Sequence, residues 1–349
     1  MAENWVLENQ RERGDVHYLY NPVSDRYAPK NNDVRQWLTA YTVAHMALDE
    51  PGLMTVHRRN LEYLLSAQYR ENEQGHGYIL RNGRSKLGGN GLALRALARS
   101  PLHAEFADQA ERLAAGVVAS MADDGSFQAW FVAPPNPRGE KYQQYLLTFY
   151  SGEALIGLLE YAELRDRPAY RDAAIRAQEY YIDRYVTHLD EHYFPAYVPW
   201  HTLSLSHLFR ITGEPRYADA VFALNDKLLE MLDRTTFVGR FYNPATPQYG
   251  RPHASSDAVY TESLAYALAT ARRAGDKVRE QRYREALELA LDNLIGHQYQ
   301  HADSRYPGPS ERYLGGFRTN VKSPWIRVDN TSHAADALRG VQEALALEL

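Results

Sequence analysis

Two kinds of hydrophobic pattern alternate along the chain. Segments 152–162, 201–211 and 261–271 are rich in leucine and small residues and carry few charges. Each is followed by a polar turn: Arg165-Asp-Arg-Pro, Thr212-Gly-Glu-Pro and Arg273-Ala-Gly-Asp. Each turn leads into a helix with apolar residues on one face and charges on the other, over Tyr170–Arg184, Tyr217–Leu232 and Arg279–Ile295. Three more low-charge helices are expected at Asp33–Leu48, Gly91–Ala98 and Asn330–Leu347. The first two precede amphipathic partners near Thr55–Tyr69 and His103–Met121. A helical hairpin therefore recurs roughly every 50–70 residues, which is the period of a repeat architecture.

The low-charge helices have no polar face to give to water, so they pack inside, and the amphipathic ones wrap around them. Six inner helices and five or six outer ones, joined alternately, predict an all-α double ring, an (α/α)6 toroid, as a single domain over residues 1–349. Residues 1–31 read as a strand and loop lead-in. Inner-to-outer turns are short. Outer-to-inner connections are long, with strand-like fragments at Gly77–Leu80, Gly125–Val132, Tyr193–Val198, Gly239–Tyr242 and Gly315–Thr319. Long loops in a compact domain are usually functional or disordered, so the end of the ring where the inner helices begin is the expected site.

Composition sharpens this picture. The chain has 26 tyrosines and 5 tryptophans against 10 phenylalanines, and aromatic rings with a polar tip suit half-wet surfaces such as sugar clefts. A net charge of −5 argues against a nucleic-acid partner, whose binding would rest on a basic face. No apolar run is long enough to cross a membrane, and the opening Met-Ala-Glu-Asn-Trp does not resemble a signal peptide, so cytoplasm is the default expectation. There are no cysteines, which excludes disulfide and thiol chemistry.

The expected starts of the inner helices gather charged and aromatic residues. They are Asp33, Arg35 and Trp37; Lys86 and Asn90; Tyr150 and Glu153; Trp200 and His201; Asp257, Tyr260 and Glu262; and Arg327, Asp329 and His333. Acids at helix starts commonly cap N–H groups and complement the dipole. Glu153 and Glu262 are harder to explain that way, because both lie within low-charge helices and follow a tyrosine. Facing carboxyls are what glycosidic cleavage requires, one protonating the leaving oxygen and the other serving the water or the sugar.

The alternation of helix types resembles the six-hairpin glycosidase superfamily, which includes unsaturated glucuronyl hydrolases, and the N-acylglucosamine 2-epimerase group. The glycosidase resemblance implies Asp or Glu acid–base catalysis. Glu153 and Glu262 would be the central pair, with Asp257 or Asp329 in support. Arg327, Lys86 and Arg35 would hold an acidic or heavily hydroxylated substrate, with Asp33 and Asn90 beside them. Trp37, Tyr150, Trp200 and Tyr260 would stack on sugar rings. The epimerase resemblance implies two histidines on the fourth and sixth inner helices, here His201 (or His207) and His333. Thr202-Leu203-Ser204 follows His201, where the epimerase pattern has Glu three residues after His. A third reading is a carbohydrate- or peptide-binding pathway protein without chemistry.

Other motifs carry less. His188-Leu-Asp-Glu-His192 matches an inverted zinc-peptidase string but falls at the end of an outer helix. Lys86-Leu-Gly-Gly-Asn-Gly lacks the Gly-Lys-Ser/Thr ending of a phosphate loop; its glycines suit a tight turn and close helix approach. No metal or cofactor is expected, and the partner is a small-molecule or oligosaccharide substrate.

Overall fold

A computed structural model describes residues 1–346. Its helices are α1 (Ala2–Glu8), α2 (Asp33–Asp49), α3 (Met54–Gln68), α4 (Leu87–Ala98), α5 (Ala107–Ala119), α6 (Glu140–Leu164) and α7 (Pro168–Ile182). They continue as α8 (Leu189–His192), α9 (Val198–Thr212), α10 (Pro215–Leu228), α11 (Ala254–Ala274), α12 (Lys277–Ile295) and α13 (Val328–Ala346). Leu347, the expected end of the last inner helix, lies outside the described residues. The chain divides into two compact units. One comprises residues 11–15 and 32–193, and the other residues 1–10, 16–31 and 194 onward.

In the 32–193 unit, α4 packs between α2 and α6, while α3, α5 and α7 pack on α2, α4 and α6 as their outer partners. Every residue of α4 is buried, as its Leu/Ala/Gly-rich sequence demands. Glycines set the spacing of the inner pair. A Cβ on Gly91 would lie 2.5 Å from the Ala154 Cα, and one on Gly157 would overlap the Gly91 carbonyl. Gly91→Ala must therefore push α4 from α6, an overpacking cost of about 1–3 kcal/mol. Two antiparallel pairs, Tyr69–Glu71 with Gly77–Ile79 and Ser85–Lys86 with Trp130–Val132, sit at the connections.

In the other unit, α11 packs against α9 and α13, with α10 on α9 and α12 on α11. The outer partner of α13 is α1, so residues 2–8 of the expected strand and loop lead-in are helical. Trp5 and Val6 are fully buried and the Trp5 indole N–H donates to the Arg312 carbonyl at 2.9 Å. Leu19–Asn21 pairs with Arg26–Tyr27 and with Ser323–Arg327, which pairs with Arg318–Asn320.

Three local expectations are corrected. Tyr193–Val198 is not strand-like: Pro195 opens a 3-10 turn there and Pro199 sits in the first turn of α9, both positions where a missing N–H costs nothing. The segment Lys86–Gly91 is not a tight turn, because α4 already begins at Leu87 and its glycines are helical. Finally, α6 begins at Glu140 and α11 at Ala254, so Glu153 and Glu262 lie well inside their helices. Neither is a capping residue, since the free N–H groups are confined to the first turn.

Candidate functional site

Three helices of the 32–193 unit supply one group of side chains. Glu153 comes from the middle of α6 and is 5% exposed, and its Oε2 has no hydrogen-bond partner among the described residues. It lies against the first turn of α4, where a Cβ on Gly88 would overlap both Glu153 Oε2 and the Tyr150 ring. Lys86, immediately before α4, reaches Asp33 at the start of α2, with Nζ 2.6 Å from Oδ1. The other oxygen of that carboxylate, Oδ2, is buried without a partner among the described residues.

Burial pushes the Glu153 carboxyl up to about 8; the cations Lys86 and Arg35 pull it down and Asp33 pushes it further up. Burial also raises the Tyr150 hydroxyl, helped by the negative charges of Glu153 and Asp33. Glu153 therefore carries its proton at neutral pH, beside a carboxylate held in an ion pair with lysine. Asn90, expected as a substrate ligand, uses its Oδ1 to accept from the Ile79 N–H at 2.8 Å and the Ser85 hydroxyl at 3.2 Å. That fixes the connection to α4, while its Nδ2 has no partner among the described residues. Trp37 is a correction: it is fully buried and its indole N–H donates to Gln68 Oε1 at 3.1 Å, so it is core and offers no stacking face.

A second group lies in the other unit. Glu262 (α11) and His333 (α13) approach at 4.0 Å between Oε2 and Nδ1, and the Trp200 ring centroid is 5.9 Å from that of His333. Arg327 pairs with Asp329 and also donates to Ser255 Oγ at 3.2 Å. His201 is buried, 6.4 Å from the Tyr197 ring between centroids, and burial alone holds its imidazole down to about 3. Such a histidine resists taking a proton at neutral pH.

Asp257, expected among the catalytic acids, is hydrogen-bonded through both oxygens. Its Oδ1 accepts from the Phe241 N–H and its Oδ2 from the Asn293 amide, both at 3.1 Å. Burial pushes it up to about 7 against those bonds and Arg240. With both oxygens engaged it ties the 239–242 connection to α11. Tyr260 packs on Phe241 with 5.3 Å between ring centroids.

No family model matches the chain, and no curated protein matches it. Solved structures do. A D-mannose isomerase aligns with a TM-score of 0.70 at 12% identity, over 98% of this chain and 96% of that one. An unsaturated glucuronyl hydrolase specific for heparin aligns at 0.65 and 13%, over 99% and 96%. An α-1,6-mannanase from Salegentibacter sp. HEL1_6 aligns at 0.66 and 11%, over 98% of each chain. The chain has the (α/α)6 toroid fold that these solved structures share. At these identities the likeness speaks for fold and leaves function to the side chains.

Sequence reasoning misses Gly88, whose lack of a side chain admits Glu153, and Ser255, which holds Arg327. It also misses that Tyr142, Tyr145 and Phe149 belong to the same helix as Glu153, because the low-charge inner segment is read only from residue 152. The spacing 142, 145, 149, 153 is the available signal. His188 of the zinc-like string is exposed and its Nδ1 bonds the Asp183 carbonyl at 2.9 Å. Among the described residues no three His, Cys, Asp or Glu side chains converge as a metal-ligand set. No helix among them is long and apolar enough to cross a membrane.

Proposed function

We propose that the chain is a carbohydrate-active enzyme and, within that class, a glycoside hydrolase. Glu153 donates the proton to the departing glycosidic oxygen, and Asp33 is the carboxylate that assists the attacking water or the sugar. The observation that carries this reading is the state of Glu153: buried, with an unpartnered Oε2, and pushed up to about 8. A carboxyl that keeps its proton near neutral pH is what a general acid requires, and its partner must differ from it in environment. Asp33, in its ion pair with Lys86, differs in that way. In this reading Asp33 takes the place assigned from the sequence to Glu262. The fold neighbours that act as a glucuronyl hydrolase and a mannanase support the substrate class.

The test is Glu153→Gln assayed against neutral and acidic oligosaccharides with product analysis. Turnover should fall at least about a hundredfold while binding persists. Unchanged turnover would remove Glu153 from the chemistry.

A second reading, a sugar epimerase or isomerase, is favoured by the Glu262–His333 pair beside Trp200 and by the mannose isomerase neighbour. It requires solvent deuterium to enter the sugar and His333→Ala to abolish that exchange. The low proton affinity of His201 leaves His333 and His207 as the histidines for this role.

A further inference from the structure

The helix that carries Glu153 also carries a row of aromatic rings leading away from it. Tyr142, Tyr145, Phe149 and Glu153 are spaced three, four and four residues apart, which puts them on one face of α6. At about 1.5 Å rise per residue the steps are about 4.5, 6 and 6 Å, comparable to the advance of one pyranose unit along a glycan. Tyr142 and Tyr145 stack with 6.3 Å between centroids and 27° between planes. Phe149 meets Tyr145 edge-on at 5.5 Å. The Arg138 guanidinium lies 4.7 Å above Tyr142 at the outer end. Exposure falls along the row, from Tyr145 at 47% and a half-buried Phe149 to the buried Glu153. Arg35 acts electrostatically on Tyr145, Tyr150 and Glu153 alike.

We propose that this face of α6 is a binding track for a linear oligosaccharide, whose successive rings stack on Phe149, Tyr145 and Tyr142 while one terminus reaches Glu153. The inference rests on the reading of Glu153 as the reacting end of the site. Three features select a glycan as the occupant. The row ends on the candidate acid, its step matches the sugar repeat, and tyrosine pairs an apolar face for ring C–H groups with a hydroxyl for sugar hydroxyls. Tyr145, at 47% exposure, still leaves part of its ring to solvent beside its contacts with Tyr142 and Phe149.

The experiment is calorimetric titration of the full chain carrying Glu153→Gln. The probes are α-1,6-linked manno-oligosaccharides and β-1,4-linked gluco-oligosaccharides, each from the disaccharide to the hexasaccharide. Affinity for one series should climb with each added unit up to the tetrasaccharide. Adding Tyr145→Ala should remove about five- to tenfold for the tetrasaccharide and flatten the length dependence. Tyr145→Phe, which keeps the ring, should retain the climb and shows that any loss in the alanine variant is not misfolding. Affinity independent of length, a climb that survives both Tyr145→Ala and Tyr142→Ala, or no binding of either series would overturn the track. If Glu153→Gln turns over substrate at the wild-type rate while the length dependence stands, the role given to Glu153 falls and the track remains. If instead that variant is inactive and its affinity is flat with length, Glu153 keeps its role and the track falls.

Discussion

Gly88 of α4 lies so close to Glu153 of α6 that a β-carbon at position 88 would occupy the space of the glutamate Oε2. The glycine is helical and has no positive φ, so its backbone would accept alanine; only the space forbids it. Gly88→Ala should therefore move Glu153 or separate the helices, destabilising by about 1–3 kcal/mol as overpacked sites do. Turnover should fall by more than the melting temperature explains, because the carboxyl is displaced. Thermal melts and steady-state rates on the same preparation check this, and a variant with normal rates would show that the contact is purely structural.

The second prediction concerns pH. Glu153 ionises at about 8 in the fold against an ordinary value of 4.5, so the folded chain holds this proton to higher pH than the unfolded chain does. Between those values the native state binds more protons, and stability attributable to Glu153 falls as pH rises. Glu153→Gln mimics the protonated form and lacks this loss. The difference in urea stability between variant and wild type should be small near pH 4.5, grow in the variant's favour up to about pH 8, and then level off. In the wild type, turnover should also fall on the alkaline side near pH 8. A flat difference across that range would mean that Glu153 is ionised in the fold.

How much of this is legible in the sequence differs between fold and site. The alternation of helix types reports burial directly, because a helix as apolar as α4 has only one place to go. The sixth outer helix escapes that pattern because α1 is short and far in sequence from α13. The sequence names charged residues near the inner helices, but it does not show what each one meets there. Asp33, read as a substrate ligand, acts electrostatically on Glu153, while Asp257, read as catalytic, accepts from Phe241 and Asn293. Spacing shows which side chains share a helix face. It does not show which oxygen another helix's N–H will satisfy, and that decides between an anchor and an acid.

Breaking the Lys86–Asp33 pair is the third prediction. Both side chains are nearly buried, at 10% and 4% exposure, so removing the cation strands a carboxylate. Lys86→Met should cost about 3–5 kcal/mol, and adding Asp33→Asn should recover much of it. Lys86 also pulls the Glu153 carboxyl down, so the single variant should shift the alkaline limb of the rate profile upward in pH. A double-mutant cycle by denaturant unfolding, with pH–rate profiles, tests both halves; additive losses would show that the two residues do not interact.

Asp257 gives the last prediction because two accounts of it lead to different numbers. As a catalytic carboxylate, Asp257→Asn should lower turnover by a factor of about 100 or more. As the anchor seen in the structure, it should instead release a loop. The amide replacing Oδ1 or Oδ2 presents a donor to a donor, at Phe241 N–H or at Asn293. One buried bond is then lost, a cost of about 1–3 kcal/mol. The Phe241 amide should exchange with solvent faster, while turnover changes only a few-fold. Hydrogen exchange at that amide, read beside the rate, separates the accounts. A slow, unchanged exchange with collapsed turnover would return Asp257 to the catalytic set.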